Sequence, residues 1–100
     1  MDLLQFLKEN KVKLIVRRST QNKKLYSCEI LNGYLKKDFY YINIYGIGND
    51  EEEAINDLIN IINENVIVFN IDNPNKKRII KVQTIDKYIK WISYITRLLK

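Results

Sequence analysis

The stretch FYYINIYGIGNDEEEAINDLINII, residues 39–62, contains the clearest strand pattern and the clearest helix pattern of this chain. Apolar and aromatic side chains alternate over residues 39–45, which predicts a strand with successive residues on opposite faces. After the glycines, Asp50 stands in a favourable N-cap position, and Glu53 follows at the spacing of a capping box. The apolar residues behind them recur with helical period, so we predict a helix over residues 50–63.

A short helix and two further strands are predicted before this stretch. The leucines of residues 2–10 have helical spacing. Residues 12–18 and 25–31 alternate as strands. Asn32-Gly33 is a dipeptide typical of tight turns, and we expect it to end the second strand. The order up to the end of the quoted stretch is therefore helix, three-stranded meander, helix.

The rest of the chain is predicted to form a hairpin and a final helix. Residues 66–71 and 78–83 read as strands joined by a turn at 72–75, and residues 85–99 have one narrow polar stripe on an otherwise apolar helix. The sequence thus predicts a single α+β domain over residues 1–100, with an antiparallel meander packed on a helix and extended by the hairpin. The predicted core consists of Leu14, Val16, Cys28, Ile30, Ile42, Ile44, Ile55, Leu58, Ile59 and Ile62.

Composition limits the classes of protein to which this chain can belong. Its 100 residues include one cysteine, no histidine and 46% hydrophobic residues, which is typical of a globular domain. A single cysteine cannot form an internal disulfide and suits a reducing compartment. No apolar run reaches the ~20 residues that span a bilayer, and the charged N-terminal residues are unlike a signal peptide. We therefore expect a cytoplasmic protein that does not enter membranes.

The residue types on which most enzymes depend are missing. The absence of histidine excludes a Ser-His triad and a Cys-His pair, and one cysteine without histidine excludes a zinc cluster. Gly46 and Gly48 lack the third glycine and the lysine of phosphate-binding loops, and the acidic residues after them would repel a phosphate. We expect no enzymatic activity, no metal and no cofactor, so the protein is expected to act by binding.

The net charge of +5 is distributed unevenly along the chain. Residues 1–48 carry nine basic and four acidic side chains, and residues 49–72 carry seven acidic and no basic ones. Residues 73–100 carry eight basic side chains and one acidic side chain. A field of this kind steers and orients partners, although it does not fix a fold.

Two charged groups are candidates for partner binding. One lies at the start of the predicted helix and comprises Asp50, Glu51, Glu52 and Asp57. These carboxylates either stabilise the helix dipole or imitate nucleic acid in the basic cleft of a partner. The other lies at the predicted hairpin turn and comprises Lys76, Lys77 and Arg78. These side chains are either solvated surface or phosphate-binding groups.

Two aromatic groups are further candidates. On the outer face of the meander, Tyr41 and Tyr45 are predicted to lie beside basic residues, an arrangement that can stack nucleobases and pair phosphates. The other predicted members of this face are Lys13, Arg17, Ser27, Glu29 and Phe39. On the final helix, Trp91 and Tyr94 are predicted to contact a partner or a second copy of the chain. In both places the alternative is burial in the protein's own core, with the final helix covering the sheet.

The segment YGIGNDEEEA, residues 45–54, resembles the end of the third strand and the start of the last helix in the double-stranded RNA-binding domain. The organisation of residues 1–63 is also similar to the partial RNase-H-like fold of HicB-type antitoxins. The RNA-binding family carries lysines where this chain has Asp50, Glu51 and Glu52, so none of its binding residues can be carried over. The resemblance implies an α-β-β-β-α core and, as alternative functions, direct nucleic-acid binding or an antitoxin role.

The chain also resembles phage-encoded inhibitors, of which anti-CRISPR proteins are the leading example, in size, organisation and composition. It contains 17 isoleucines, 12 asparagines and 13 lysines but one alanine, a bias typical of AT-rich coding sequence. This resemblance implies a non-enzymatic inhibitor in the host cytoplasm. Its partner would be a nucleic-acid-handling complex such as a CRISPR effector.

Overall fold

The elements follow one another in the order helix, three strands, helix, two strands. The computed structural model describes residues 1–20 and 24–90, and everything below refers to these residues. The elements are α1 (Leu3–Asn10), β1 (Leu14–Arg18), β2 (Tyr26–Lys36), β3 (Tyr41–Gly48), α2 (Glu51–Ile62), β4 (Val66–Phe69) and β5 (Arg78–Lys81). The predicted α+β class is confirmed, because these strands form one antiparallel sheet.

The long strand β2 is the centre of the sheet. β3 pairs with both halves of β2 along one edge. β1 pairs with residues 26–30 and β4 with residues 33–35, so these two strands lie end to end along the opposite edge. β5 then pairs with the outer side of β4. The predicted hairpin therefore extends the sheet by lying beside the second half of β2.

The turn predicted at Asn32-Gly33 is wrong, because β2 continues through this dipeptide to Lys36. Asn32 has a left-handed φ of 58°, and the register with β3 shifts between Glu29 and Tyr34. The dipeptide therefore forms a bulge at the point where the edge of β2 changes partner from β1 to β4. The chain reverses later, where the Lys37 N–H donates to the Tyr40 carbonyl at 2.9 Å.

The N-cap predicted at Asp50 is confirmed, and Asp2 caps α1 in the same way. The Asp2 side chain accepts from the Gln5 N–H at 2.7 Å, and the Asp50 carboxylate accepts from the Glu53 N–H at 2.8 Å. The Glu53 carboxylate in turn accepts from the N–H of Asn49 at 2.7 Å. Glu53 thus accepts from the backbone N–H of the residue before the N-cap, whereas in a standard capping box it would accept from the N–H of the N-cap residue itself.

Gly46 and Gly48 allow α2 to lie directly on β3. A Cβ atom built on Gly46 would lie 2.6 Å from the Leu58 nitrogen, and one on Gly48 would lie 2.6 Å from the Glu53 carbonyl carbon. Both neighbours are backbone atoms, so a side chain at either glycine would push the helix away from the strand. The two glycines are therefore a packing surface for α2.

The core lies between the sheet and the helices and is larger than predicted. The correctly predicted members that are buried are Cys28, Ile30, Ile44, Ile55, Leu58, Ile59 and Ile62, and the additional members are Leu3, Phe6, Val12, Leu35, Ala54, Ile67, Phe69, Val82 and Ile85. Leu14 and Val16 pack against the core but are only partly buried. Ile42 was assigned wrongly, since it is 38% exposed. It lies near the hairpin end of β3, whereas α2 packs on the opposite end of that strand.

Ile59 tests the predicted core directly. Its side chain is 2% exposed and belongs to the apolar stripe of α2. We expect Ile59→Ala to reduce the free energy of unfolding by about 2–5 kcal/mol, because it removes buried apolar atoms and leaves a cavity. Urea denaturation measures this change. A midpoint equal to that of the unmodified protein would contradict the placement of α2.

The helix predicted over residues 85–99 is wrong over residues 85–89, which form neither helix nor strand. Residues 82–90 instead run along α2 and are called the strap here. The Asn63 amide donates to the Ile85 carbonyl at 3.1 Å and accepts from the Ile85 N–H at 2.8 Å. Lys90 is helical, and residues 91–99 of the predicted helix lie outside the described residues.

A second asparagine of α2 repeats the same pairing with the strap. The Asn56 amide donates to the Tyr88 carbonyl at 2.9 Å and accepts from the Tyr88 N–H at 2.7 Å. Asn56 and Asn63 are seven residues apart, which corresponds to a rise of about 10.5 Å along a helix. Ile85 and Tyr88 are three residues apart, which corresponds to about 10 Å in an extended segment, so each asparagine lies opposite its partner. The helix prediction is wrong over residues 85–89 because these amides bind the backbone groups of Ile85 and Tyr88 that a helix would use.

Candidate partner-binding surface

One face of the sheet carries the predicted aromatic and charged side chains. The strand register places Arg17, Ser27 and Ile47 in one row and Ile15, Glu29 and Tyr45 in the next. These rows face away from the Cys28 and Gly46 positions that contact α2, because side chains alternate along a strand. We call this surface the open face. Tyr41, which pairs with Lys36, also lies on the open face.

The predicted outer-face residues are mostly brought together on the open face. Tyr41 is 41% exposed and Tyr45 is 40% exposed. Most of the final helix, which the alternative prediction places over these rings, lies outside the described residues. Arg17 donates to the Glu29 carboxylate at 3.0 Å, which neutralises the acidic side chain of this face. Ser27 is buried and donates to the Arg17 carbonyl at 3.4 Å, so it is unavailable to a partner.

Phe39 was assigned to the same face, but it lies in the turn between β2 and β3. Its side chain is 95% exposed, and the adjacent Tyr40 is 60% exposed. Lys36 and Lys37 stand on the other arm of the same turn. We call residues 36–40 the hairpin tip. The tip also contains the exposed Asp38. Among the described residues, Phe39 is the most exposed large hydrophobic side chain.

The β2 bulge creates a pocket of about 270 Å³ that the sequence did not reveal. Its lining includes Tyr34, Tyr45, Glu29 and Asn43. The pocket opens on the open face, since Tyr34 pairs with Asn43 in the register that follows the bulge. The dipeptide Asn32-Gly33 was the available signal for an irregularity here, but it was interpreted as a turn.

The acidic candidates each have a structural partner, with one exception. Asp50 caps α2, and the Asp57 carboxylate accepts from the Ile47 N–H at 2.8 Å. The Glu52 carboxylate accepts from the Lys90 N–H of the strap at 3.2 Å. Glu51 is exposed in the first turn of α2. Asp50 thus has the capping role that one of the two predictions implies. The contacts of Asp57 with β3 and of Glu52 with the strap were not predicted.

The basic candidates divide into two kinds. Lys76 and Lys77 are exposed in the loop between β4 and β5. Arg78 instead lies over the Phe69 ring, 4.6 Å from its centroid, and donates to the backbone carbonyls of Asn10 and Lys11. Its guanidinium therefore satisfies carbonyls at the C-terminal end of α1. Trp91 and Tyr94 lie outside the described residues.

The cysteine of β2 lies on the core side of the sheet. Cys28 is fully buried, and burial, followed by the nearby Glu29 carboxylate, raises the pKa of its thiol to about 12. A neutral thiol in this position packs as a small apolar side chain.

Because of Cys28, we expect the protein to lose stability at alkaline pH. The thiol of the unfolded chain titrates near its ordinary pKa of 9.0, so above that pH the unfolded state loses a proton that the folded state keeps. The stabilisation from the buried neutral thiol is fully present below the pKa of the thiol in the unfolded chain. It is lost as the pH rises towards the pKa of the thiol in the folded protein. We expect unfolding free energy to fall by about 1 kcal/mol more in the unmodified protein than in Cys28→Ala between pH 8 and 10. Urea denaturation at both pH values measures this, and equal changes would contradict the burial of the thiol.

The described residues contain neither a metal-ion cluster nor a membrane-spanning helix, and comparison with known proteins found no match. Within residues 1–20 and 24–90, no cluster of three or more His, Cys, Asp or Glu side chains is placed to hold a metal ion. No helix in the same part of the chain has the length and apolar character needed to cross a bilayer. No protein-family model matches the chain, and neither the curated proteins nor the solved structures contain a match.

Proposed function

We propose that this protein is a non-enzymatic inhibitor from a phage or mobile element. It binds a nucleic-acid-handling complex in the bacterial cytoplasm, such as a CRISPR effector, and blocks that complex by occupying its surface. The observation that supports this proposal is the hairpin tip, where Phe39 and Tyr40 are 95% and 60% exposed. Large rings held in water at a turn make good anchors, because a partner pocket removes their apolar area from solvent.

The surroundings of the hairpin tip suit a protein interface. Tyr41 and Tyr45 continue the aromatic surface from the tip onto the open face. Tyrosine and arginine are enriched in interface centres, and Arg17 lies on the same face. Lys36 and Lys37 stand beside the rings, where rim cations increase the rate of association with an acidic partner. An aromatic centre with a charged rim is thus available on one side of the molecule.

Affinity capture tests the proposal. The protein is immobilised and exposed to lysate of a bacterium with AT-rich coding sequence, in parallel with the Phe39→Ser/Tyr40→Ser variant. We expect the unmodified protein to retain a nucleic-acid-handling complex and the variant to lose it. Ile79→Ser is the matched control, because Ile79 is also 60% exposed but lies on β5, away from the tip. Equal capture by all three proteins would contradict the assignment of the tip.

Direct nucleic-acid binding is the second candidate, and the open face supports it. Lys36 lies in the same row as Tyr41, and Arg17 lies in the row next to that of Tyr45, so cations and rings alternate as on surfaces that bind single strands. A gel shift at two salt concentrations distinguishes this candidate, because each phosphate contact makes affinity fall as salt rises. Failure to shift any oligonucleotide at low salt would remove it. Recovery of a small co-encoded toxin in the capture experiment would favour the antitoxin alternative.

A further inference from the structure

The outer edge of β3 lacks the protection that edge strands normally have. Among the described residues, β3 pairs with β2 alone. Its eight residues, Tyr41–Gly48, include no charged side chain and no proline. Charges and prolines are the usual devices that stop an edge strand from pairing with another chain. The other edge strands do carry charges, with Arg17 and Arg18 in β1 and Arg78 and Lys81 in β5.

One hydrogen bond shows which backbone groups of β3 point away from β2. The Ile47 N–H donates to the Asp57 carboxylate of α2 at 2.8 Å, so it points away from β2. Backbone groups of a strand alternate between its two edges. The N–H and carbonyl groups of Tyr45, Asn43 and Tyr41 therefore point to the same outer edge as those of Ile47. Among these outward-pointing groups, the Asp57 carboxylate binds only the Ile47 N–H.

We propose that two copies of this chain pair antiparallel through the Tyr41–Tyr45 edges of their β3 strands and form a two-fold symmetric dimer. Asn43 lies at the symmetry axis in this arrangement, opposite the same residue of the second copy. Tyr41 of each copy then lies opposite the second copy's Tyr45, and directly opposed aromatic pairs stabilise antiparallel strands. The two sheets join into one, so the two open faces lie side by side.

The charges at the two ends of the β3 edge favour a second copy as the occupant. Lys36 and Lys37 outnumber the one carboxylate, Asp38, at the hairpin end, which is therefore net basic. Asp57 and Glu53 lie at the opposite end, where their carboxylates bind the Ile47 and Asn49 N–H groups. Antiparallel pairing places the basic end of each copy beside the acidic end of the other, and does so twice. A parallel arrangement would bring like charges together. The edge is thus self-complementary, as a two-fold interface must be.

Sedimentation equilibrium tests the dimer with the full chain. We expect Asn43→Pro to weaken dimerisation by about 100-fold, because proline removes an outward N–H on both sides of the axis. The pairing with β2 does not use that N–H, so the thermal transition should be retained. Asn43→Ala keeps the N–H and is the matched control, which should dimerise like the unmodified protein. Lys36→Glu/Lys37→Glu should also weaken the dimer, since it places like charges at both ends.

A second variant keeps the test decisive if the proline substitution unfolds the chain. Asn43→Lys places two ammonium groups opposite each other at the axis and should give a folded monomer. An unmodified protein that is monomeric at millimolar concentration, or a dimer that persists in the folded Asn43 variants, would overturn the proposal. The result is separable from the proposed function, because the Asn43 variants retain the hairpin tip and should still capture the partner.

Discussion

Replacing Gly46 by alanine is expected to reduce the free energy of unfolding by more than about 3 kcal/mol, a large part of the total stability of a domain of this size. The added Cβ would lie 2.6 Å from the Leu58 nitrogen and also too close to the Ala54 carbonyl oxygen. Neither atom can rotate away, because both belong to the backbone of α2. The helix would have to lift from β3 and lose the packing of Leu58 and Ile59.

Gly33→Ala is the matched control for this prediction. A Cβ on Gly33 would lie 2.7 Å from the Ile30 side chain, 3.1 Å from that of Phe69 and 3.3 Å from that of Ile67, and all three neighbours are side-chain atoms. Because these side chains can each shift slightly whereas α2 has to move as a whole, we expect the Gly33 variant to lose less stability than Gly46→Ala. Urea denaturation of both variants gives the comparison. A Gly46→Ala protein as stable as the unmodified one would contradict the direct seating of α2 on β3.

Asn63→Ala is expected to reduce the free energy of unfolding by about 2–4 kcal/mol. The Asn63 amide satisfies both the N–H and the carbonyl of Ile85, a residue that is 2% exposed. Removing the amide leaves two buried backbone groups without partners, and an unsatisfied buried group is destabilising by more than a hydrogen bond contributes when it forms. The strap should then separate from α2 before the sheet unfolds.

Asn60→Ala provides the control on the same helix. Asn60 is exposed, so its replacement should change stability by less than about 0.5 kcal/mol. Hydrogen exchange reports on the strap itself: the Ile85 amide should exchange faster in Asn63→Ala and unchanged in Asn60→Ala. If Ile85 were equally protected in both variants, the asparagine pairing would not be what holds the strap.

The elements predicted correctly are those whose signals are local. Strand β3 and helix α2 follow from alternation, a cap and an apolar stripe within one stretch, and Asp50 acts as the sequence indicates. The bulge at Asn32-Gly33 was misread because its turn propensity is local, whereas the change of partner along β2 is a tertiary effect. The strap was misread for a similar reason, since asparagines on a helix surface give no sign that they bind another segment.

The same distinction applies to the candidate surface. Alternation alone placed Tyr41, Tyr45 and Arg17 on one face, and the register agrees. It placed Phe39 there as well, because the true turn was not recognised and β3 was started two residues early. The exposed tip and the bulge pocket both depend on the length of β2. Neither could be predicted once the Asn32-Gly33 turn had been assumed.

We propose that this chain acts by presenting the exposed rings of its hairpin tip to a protein partner. Titration of the captured complex with the unmodified protein, Phe39→Ser/Tyr40→Ser and Ile79→Ser tests that claim most directly. We predict that the double variant binds at least about 100-fold more weakly, the loss of two anchors of about 1.5 kcal/mol each, while Ile79→Ser binds as the unmodified protein does. Equal dissociation constants for all three proteins would contradict the claim.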